Sequence, residues 1–185
     1  MKIISGKYKG RNVIGYDIDG TRPTMDRVKE SLFAMIQNHI KDSNCLDLFA
    51  GSGNLGLEAL SEGANSCTFI DSNKIAIKTI KNNLANLQEK VDNVYLIDFR
   101  KFLRETPNKY DLIFIDPPYK TDYIKEALIL IEKNDLLTKD GLVILESSST
   151  DKFIYSEYYN MYKERKYGDK YILVLEKQNQ HIGKY

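Results

Sequence analysis

From Asn44 onward, short and continuously apolar runs alternate with amphipathic stretches. The runs Cys45–Ala50, Cys67–Asp71, Val94–Asp98, Leu112–Asp116 and Leu142–Glu146 predict strands, and Lys74–Leu87 and Tyr123–Glu132 predict helices between them. Strands apolar on both faces, separated by helices, are the signature of a parallel sheet covered on both sides, so the expected class is α/β. Ahead of them, Val28, Leu32, Met35, Ile36 and Ile40 make one apolar stripe, predicting a helix over Met25–Lys41. Thr24 is its expected N-cap, and Asp26 complements the helix dipole in the first turn.

The two ends of the chain follow a different pattern. Lys2–Ser5 and Arg11–Tyr16 flank the turn Gly6-Lys7-Tyr8-Lys9-Gly10 and read as a small hairpin. Tyr158–Arg165 and Lys170–Glu176 flank Tyr167-Gly168-Asp169 and read as an antiparallel hairpin at the sheet edge. No repeat or linker interrupts the chain. The expectation is one domain over 1–185, with an extension at 1–20 and a core at 21–185.

Composition narrows the setting. With 42% hydrophobic and 29% charged residues in 185, the chain has the profile of an ordinary soluble domain. No apolar run nears the roughly 20 residues of a membrane span, and the start lacks the apolar core of a signal peptide. A cytoplasmic location, with no membrane partner and no metal, is expected. Cys45 and Cys67 form no CxxC pair and read as small buried hydrophobes, while His39 and His181 read as surface residues. The net charge is +1, but residues 1–16 hold Lys2, Lys7, Lys9 and Arg11 without an acid, and Arg22, Arg27 and Lys29 follow. Such a patch could track phosphates or simply be solvated.

Gly51-Ser52-Gly53-Asn54-Leu55-Gly56 is a GxGxxG string between a strand and a helix, where backbone can approach a ligand closely. Asp71 follows Gly51 by 20 residues, where an acid can accept ribose hydroxyls. Asp47, just before the loop, would repel a pyrophosphate but suit a ligand bearing an ammonium near a sulfonium, or else it braces the loop backbone. Asp98 and Phe99 end the third strand on the same edge. They could meet an adenine amine and ring, or Asp98 could equally cap a helix.

The fourth run ends in Asp116-Pro117-Pro118-Tyr119. Strands one and four flank the switch point of an open α/β sheet, so both motifs face one crevice. Two prolines fix φ twice and remove two donors, leaving rigid carbonyl acceptors. A base's exocyclic amine has its lone pair delocalised into the ring. Holding its N–H bonds with Asp116 and the Pro117 carbonyl would aim that lone pair at a methyl carbon. Tyr119 supplies a ring for an extruded base.

With Phe49 in the loop motif, these strings resemble the RsmD family, bacterial methyltransferases acting on guanine N2 in small-subunit (16S) ribosomal RNA. The likeness is nearly full length. It runs through Ile3–Arg11, Arg22-Pro23-Thr24 with Asp26–Glu30, Leu46–Leu60, the Asp-Pro-Pro-Tyr string and Tyr167-Gly168-Asp169. The resemblance implies a Rossmann-like fold with a mostly parallel seven-stranded sheet, and S-adenosylmethionine as cofactor. It further implies RNA contact by Lys7, Lys9 and Arg11, and places Arg22 and Thr24 beside cofactor and substrate. The substrate would be a guanine presented in a ribosomal particle. Asn54 departs from the family, where a small residue is common. The competing readings are a DNA adenine or cytosine amino-methyltransferase, for which no recognition domain remains, and a catalytically silent RNA-binding module. A protein glutamine methyltransferase would carry Asn at 116, and a dehydrogenase would leave Asp-Pro-Pro-Tyr unexplained.

Overall fold

A computed structural model describes residues 1–15, 23–118, 122–148 and 153–178, with backbone only at 23–25. Helix α1 (Pro23–Ile36) runs into a 3-10 turn (Gln37–His39), followed by β1 (Asn44–Asp47), α2 (Asn54–Ser61), β2 (Ser66–Asp71) and α3 (Lys74–Asn86). Then come β3 (Val94–Leu96), α4 (Phe99–Glu105), β4 (Tyr110–Ile115), α5 (Asp122–Lys133), β5 (Leu137–Ser148), β6 (Tyr159–Tyr167) and β7 (Lys170–Lys177). The seven strands form one sheet in the order β3-β2-β1-β4-β5-β7-β6. The pairings from β3 through β5 are parallel, and β7 is antiparallel to both β5 and β6. The order reverses between β1 and β4, where the sequence expects the crevice.

Side-chain alternation sorts the sheet into two buried faces. Cys45, Phe69, Leu112, Phe114, Leu142, Ile144, Ile172 and Val174 pack against α1, α2, α3 and the N-terminal segment. Leu46, Ile70, Ile113, Ile115, Val143, Leu145, Leu173 and Leu175 pack against α4 and α5. Cys45 and Cys67 are register partners in β1 and β2, both buried and both free thiols. Burial pushes the Cys45 thiol up to about 12.

Several boundaries differ from the pattern-based expectation. The first helix starts at Pro23, a residue whose fixed φ suits the first helical position, so Thr24 lies inside the helix and is not its cap. β5 starts at Leu137, upstream of a turn-like Thr138–Gly141 stretch that the sheet absorbs as a register shift opposite Tyr110 and Leu112. The short α4 escapes periodicity because only Phe99 and Leu103 of its seven residues are buried. His39 is half-buried rather than a surface residue: its ring meets Tyr162 edge-on at 5.3 Å, and Nδ1 is buried without a hydrogen-bond partner. His181 lies outside the described residues. No helix among the described residues is long and apolar enough to cross a membrane.

The N-terminal hairpin has a single bridge, Lys2 to Asn12, reinforced by Ile3 N–H to Arg11 O at 2.9 Å and Gly10 N–H to Ile3 O at 2.8 Å. Its Ile3 and Val13 are buried in the same cluster as α1 and α3. Its turn docks on α2: Lys7 N–H donates to Ser61 O, Tyr8 N–H to Ser61 Oγ, and Ser61 Oγ–H to Ser5 O. Gly6 has φ +89° there, and a Cβ would overlap the Ser61 carbonyl.

Candidate active site

The glycine loop leaves β1 and enters α2 through Gly53, whose φ of +86° is left-handed backbone that glycine adopts without strain. Two acids brace the loop. Asp71 at the end of β2 accepts Gly51 N–H on Oδ2 at 2.9 Å and Asn73 N–H on Oδ1 at 2.9 Å. Asp47 is 2% exposed and accepts Gly56 N–H at 3.0 Å. Desolvation, countered by that N–H and reinforced by Asp71, raises the Asp47 carboxyl to about 7. A third brace is the Asn83 amide, which donates to Ser52 O and Ile14 O, both at 2.9 Å, and accepts Ile14 N–H at 3.0 Å. The loop is thus held from β1, β2 and α3, and it leans on the N-terminal segment.

Asn54 opens α2 and accepts the Lys29 ammonium on Oδ1 at 2.8 Å. Lys29 also pairs with Glu58 at 3.0 Å and donates to Lys2 O at 2.8 Å. Glu58 receives Ile4 N–H and Ser5 N–H on its two oxygens. This network gives the atypical Asn54 a purpose, and it removes Lys29 from the basic surface read from the sequence: the residue is 2% exposed.

Phe49 stands between Phe99 at 4.8 Å and Tyr123 at 6.0 Å between ring centroids. Phe99 is buried at 5% exposure, and the Arg100 guanidinium lies over its ring at 4.7 Å and over Tyr123 at 4.9 Å. Asp98 caps α4, accepting Arg100 N–H at 2.8 Å, and pairs with the same guanidinium at 3.1 Å. Phe49, Asp71 and Asp98 therefore keep surface on the crevice, whereas Phe99 and Asp47 support it from behind. A ribose-and-purine ligand with a cationic amino-acid end fits this set of carboxylate acceptors and aromatic rings. Among the described residues, acids surround the loop and the cations Lys29 and Arg100 are both committed, the first to Glu58 and the second to Asp98 and Glu126.

β4 lies beside β1 with Phe114 opposite Asp47, and Leu48 N–H donates to Phe114 O at 3.1 Å. The register carries Asp116 up beside the loop. Asp116 is solvent-accessible, and among the described residues its side chain makes no hydrogen bond or ion pair. Crowding by protein, then repulsion from Glu146, hold its carboxyl well above the usual carboxylate range, with Lys170 acting in the opposite direction. Glu146 is likewise raised by desolvation and lowered by Lys170. Neither residue was picked out by sequence, since they follow Asp116 by 30 and 54 positions. The one available signal was parity, as Glu146 continues the alternation of the fifth apolar run past Ile144. Pro117 is half-buried and Pro118 exposed, while Tyr119 and Arg22 lie outside the described residues, as does the side chain of Thr24.

Of the basic residues, Lys9 is exposed and unpaired among the described residues. Lys7 is exposed but 3.5 Å from Glu89, and Arg11 donates to Asn86 O at 2.7 Å in the last turn of α3. Among the described residues no cluster of side chains is arranged to hold a metal.

A family model described as Conserved hypothetical protein 95 matches residues 1–176. The chain is 36% identical to Ribosomal RNA small subunit methyltransferase D of Haemophilus influenzae, over 91% of this chain and 89% of that one. It is 37% identical to the Escherichia coli protein of the same name, over 80% and 74%. Among solved structures it is similar to yhhF of Escherichia coli, with TM-score 0.84 and 32% identity over 97% of this chain and 99% of that one. It is also similar to HI0767 of Haemophilus influenzae, with TM-score 0.81 and 31% identity over 96% and 98%.

Proposed function

Because the chain belongs to the RsmD family of methyltransferases, we propose that it methylates the exocyclic N2 amine of a guanine in small-subunit ribosomal RNA, with S-adenosylmethionine as methyl donor. The observation that carries this reading is an open Asp116 carboxylate on the strand next to the braced glycine loop, at the switch point of the sheet.

When bound, adenosylmethionine supplies a methyl group from a sulfonium sulfur, which becomes a neutral thioether. Gly51, Gly53, Phe49, Asp71 and Asp98 would hold it, with Asp47 and Phe99 shaping the cradle from behind. Asp116 accepts one N–H of the target amine and the Pro117 carbonyl the other, turning the nitrogen lone pair out of conjugation and toward the methyl carbon. After transfer the methylated amine is cationic and acidic. Its proton passes to Asp116, whose carboxyl is more basic than an ordinary one. Tyr119 would stack the extruded base, and Lys7, Lys9, Arg11, Arg22 and Thr24 would engage the RNA. The site of action is the cytoplasm, on a ribosomal particle.

The test offers the purified protein, with methyl-labelled adenosylmethionine, to unmodified small subunits, free ribosomal RNA and DNA, and identifies the modified nucleoside by mass spectrometry. N2-methylguanosine in ribosomal RNA is the expected product. Label in DNA as N6-methyladenine, or no transfer to any of the three, overturns the reading.

A further inference from the structure

The crevice has a second wall beyond the Asp-Pro-Pro-Tyr turn. β4, β5 and β7 are consecutive in the sheet. Ile115 is the register partner of Leu145, so Asp116 and Glu146 leave adjacent parallel strands side by side. Glu146 pairs with Ile172 and Ser148 with Lys170 across the antiparallel ladder, which makes Glu146 and Lys170 diagonal neighbours. Side chains alternate along each strand. Phe114, Ile144 and Ile172 share one buried face, and Asp116, Glu146 and Lys170 each lie two positions from them, so all three point to that same face. Among the described residues neither Glu146 nor Lys170 makes a side-chain hydrogen bond or an ion pair within 4 Å, and both are half-buried.

Across the sheet edge this row reads acceptor, acceptor, donor. The Watson–Crick edge of guanine presents the complement in the same order: the N2 amine and N1–H donate, and O6 accepts. No other standard base does. Adenine and cytosine place a ring-nitrogen lone pair beside their amine, which the Glu146 carboxylate would repel.

Resting on the proposed guanine-N2 methylation, we infer that Glu146 and Lys170 are the specificity-determining residues of the site, Glu146 accepting N1–H and Lys170 donating to O6 while Asp116 holds the N2 amine. A polar pocket built this way rejects a base lacking the matching groups far more strongly than an apolar pocket would, because its own carboxylate and ammonium are then left unmatched.

The test replaces the methylated guanine, once mapped, with 2-aminopurine in the substrate RNA. That base keeps the N2 amine but lacks the N1 hydrogen and O6. The wild-type enzyme should favour guanine by at least about 100-fold in kcat/KM. Glu146→Met and Lys170→Met, which remove the acceptor and the donor, should each lose about 10- to 100-fold on guanine with little loss on 2-aminopurine, so that the preference shrinks at least about tenfold. Lys170→Arg, which keeps a donor, should stay within a few-fold of wild type. Circular dichroism and adenosylmethionine affinity monitor folding. If a variant does not fold, the wild-type preference decides: equal use of the two bases overturns the inference. Folded variants that keep the wild-type preference overturn it as well, and both outcomes leave the methylation reading intact. Absence of N2-methylguanosine with wild-type enzyme overturns the methylation reading first, and this inference with it.

Discussion

Asp47 and Asp116 are carboxylates of one sheet face with different surroundings, and their tests differ accordingly. Asp47 is buried with a single N–H partner, and its carboxyl titrates near 7 in the fold against 3.8 ordinarily. The folded state therefore holds the proton more tightly than the unfolded chain does. Its contribution to stability is full below about pH 4 and is lost as pH rises through 7. Asp47→Asn keeps an oxygen for Gly56 N–H and removes the charge. The ligand-free variant should gain stability above pH 7, by up to a few kcal/mol, and lose the fall between pH 4 and 7 in thermal melts. Asp116 instead faces the crevice, with its acceptor capacity unspent among the described residues. Asp116→Ala should bind adenosylmethionine as wild type does by calorimetry and lose about 10²- to 10³-fold in turnover; near-normal methyl transfer would remove its assigned role.

At the scale of elements, the hairpin is bound to α2 by charge as well as by backbone. Glu58 is fully buried against Lys29, so Glu58→Gln would leave a buried ammonium without a counter-charge, at a cost of about 3–5 kcal/mol. A lower denaturation midpoint and faster hydrogen exchange at Ile4 and Ser5 should report it. Neither partner was legible in the sequence, where Lys29 counts as one of several basic residues and Glu58 as a polar position in an apolar helix. β1, β2 and β4 were legible because each is a short, largely buried run, whereas of β3 only Val94 is buried. What a one-dimensional pattern cannot carry is partnership. Asp98 reads equally as a ligand contact or a helix cap until Arg100 N–H is found on it. Glu146 and Lys170 acquire meaning only once β7 is known to insert beside β5 rather than trail at the edge.

For the whole molecule, a net charge of +1 conceals a hairpin whose cations are unequally committed. Among the described residues Lys9 is uncommitted, while Lys7 and Arg11 already contact Glu89 and the end of α3. Neutralising Lys9 alone should lower RNA affinity and reduce the salt slope by about 0.7–0.9, one phosphate's share. Adding Lys7→Gln and Arg11→Gln should flatten it further, as measured by RNA binding from low to moderate salt. An unchanged slope would mean that the hairpin does not touch phosphate.

Asn83 gives the joint between this hairpin and the glycine loop a consequence for how such enzymes diversify. One amide serves as sheet partner to Ile14 and as anchor to Ser52. Removing the first fifteen residues would therefore not subtract a separable appendage from an otherwise whole catalyst. It would take from Asn83, the loop's tether, its pairing with Ile14, and from the Glu58 carboxylate the N–H groups of Ile4 and Ser5. The arm is not interchangeable cargo: a transplanted one would work only on a chain whose second and third helices had been cut to match, so arm and cradle must be inherited together.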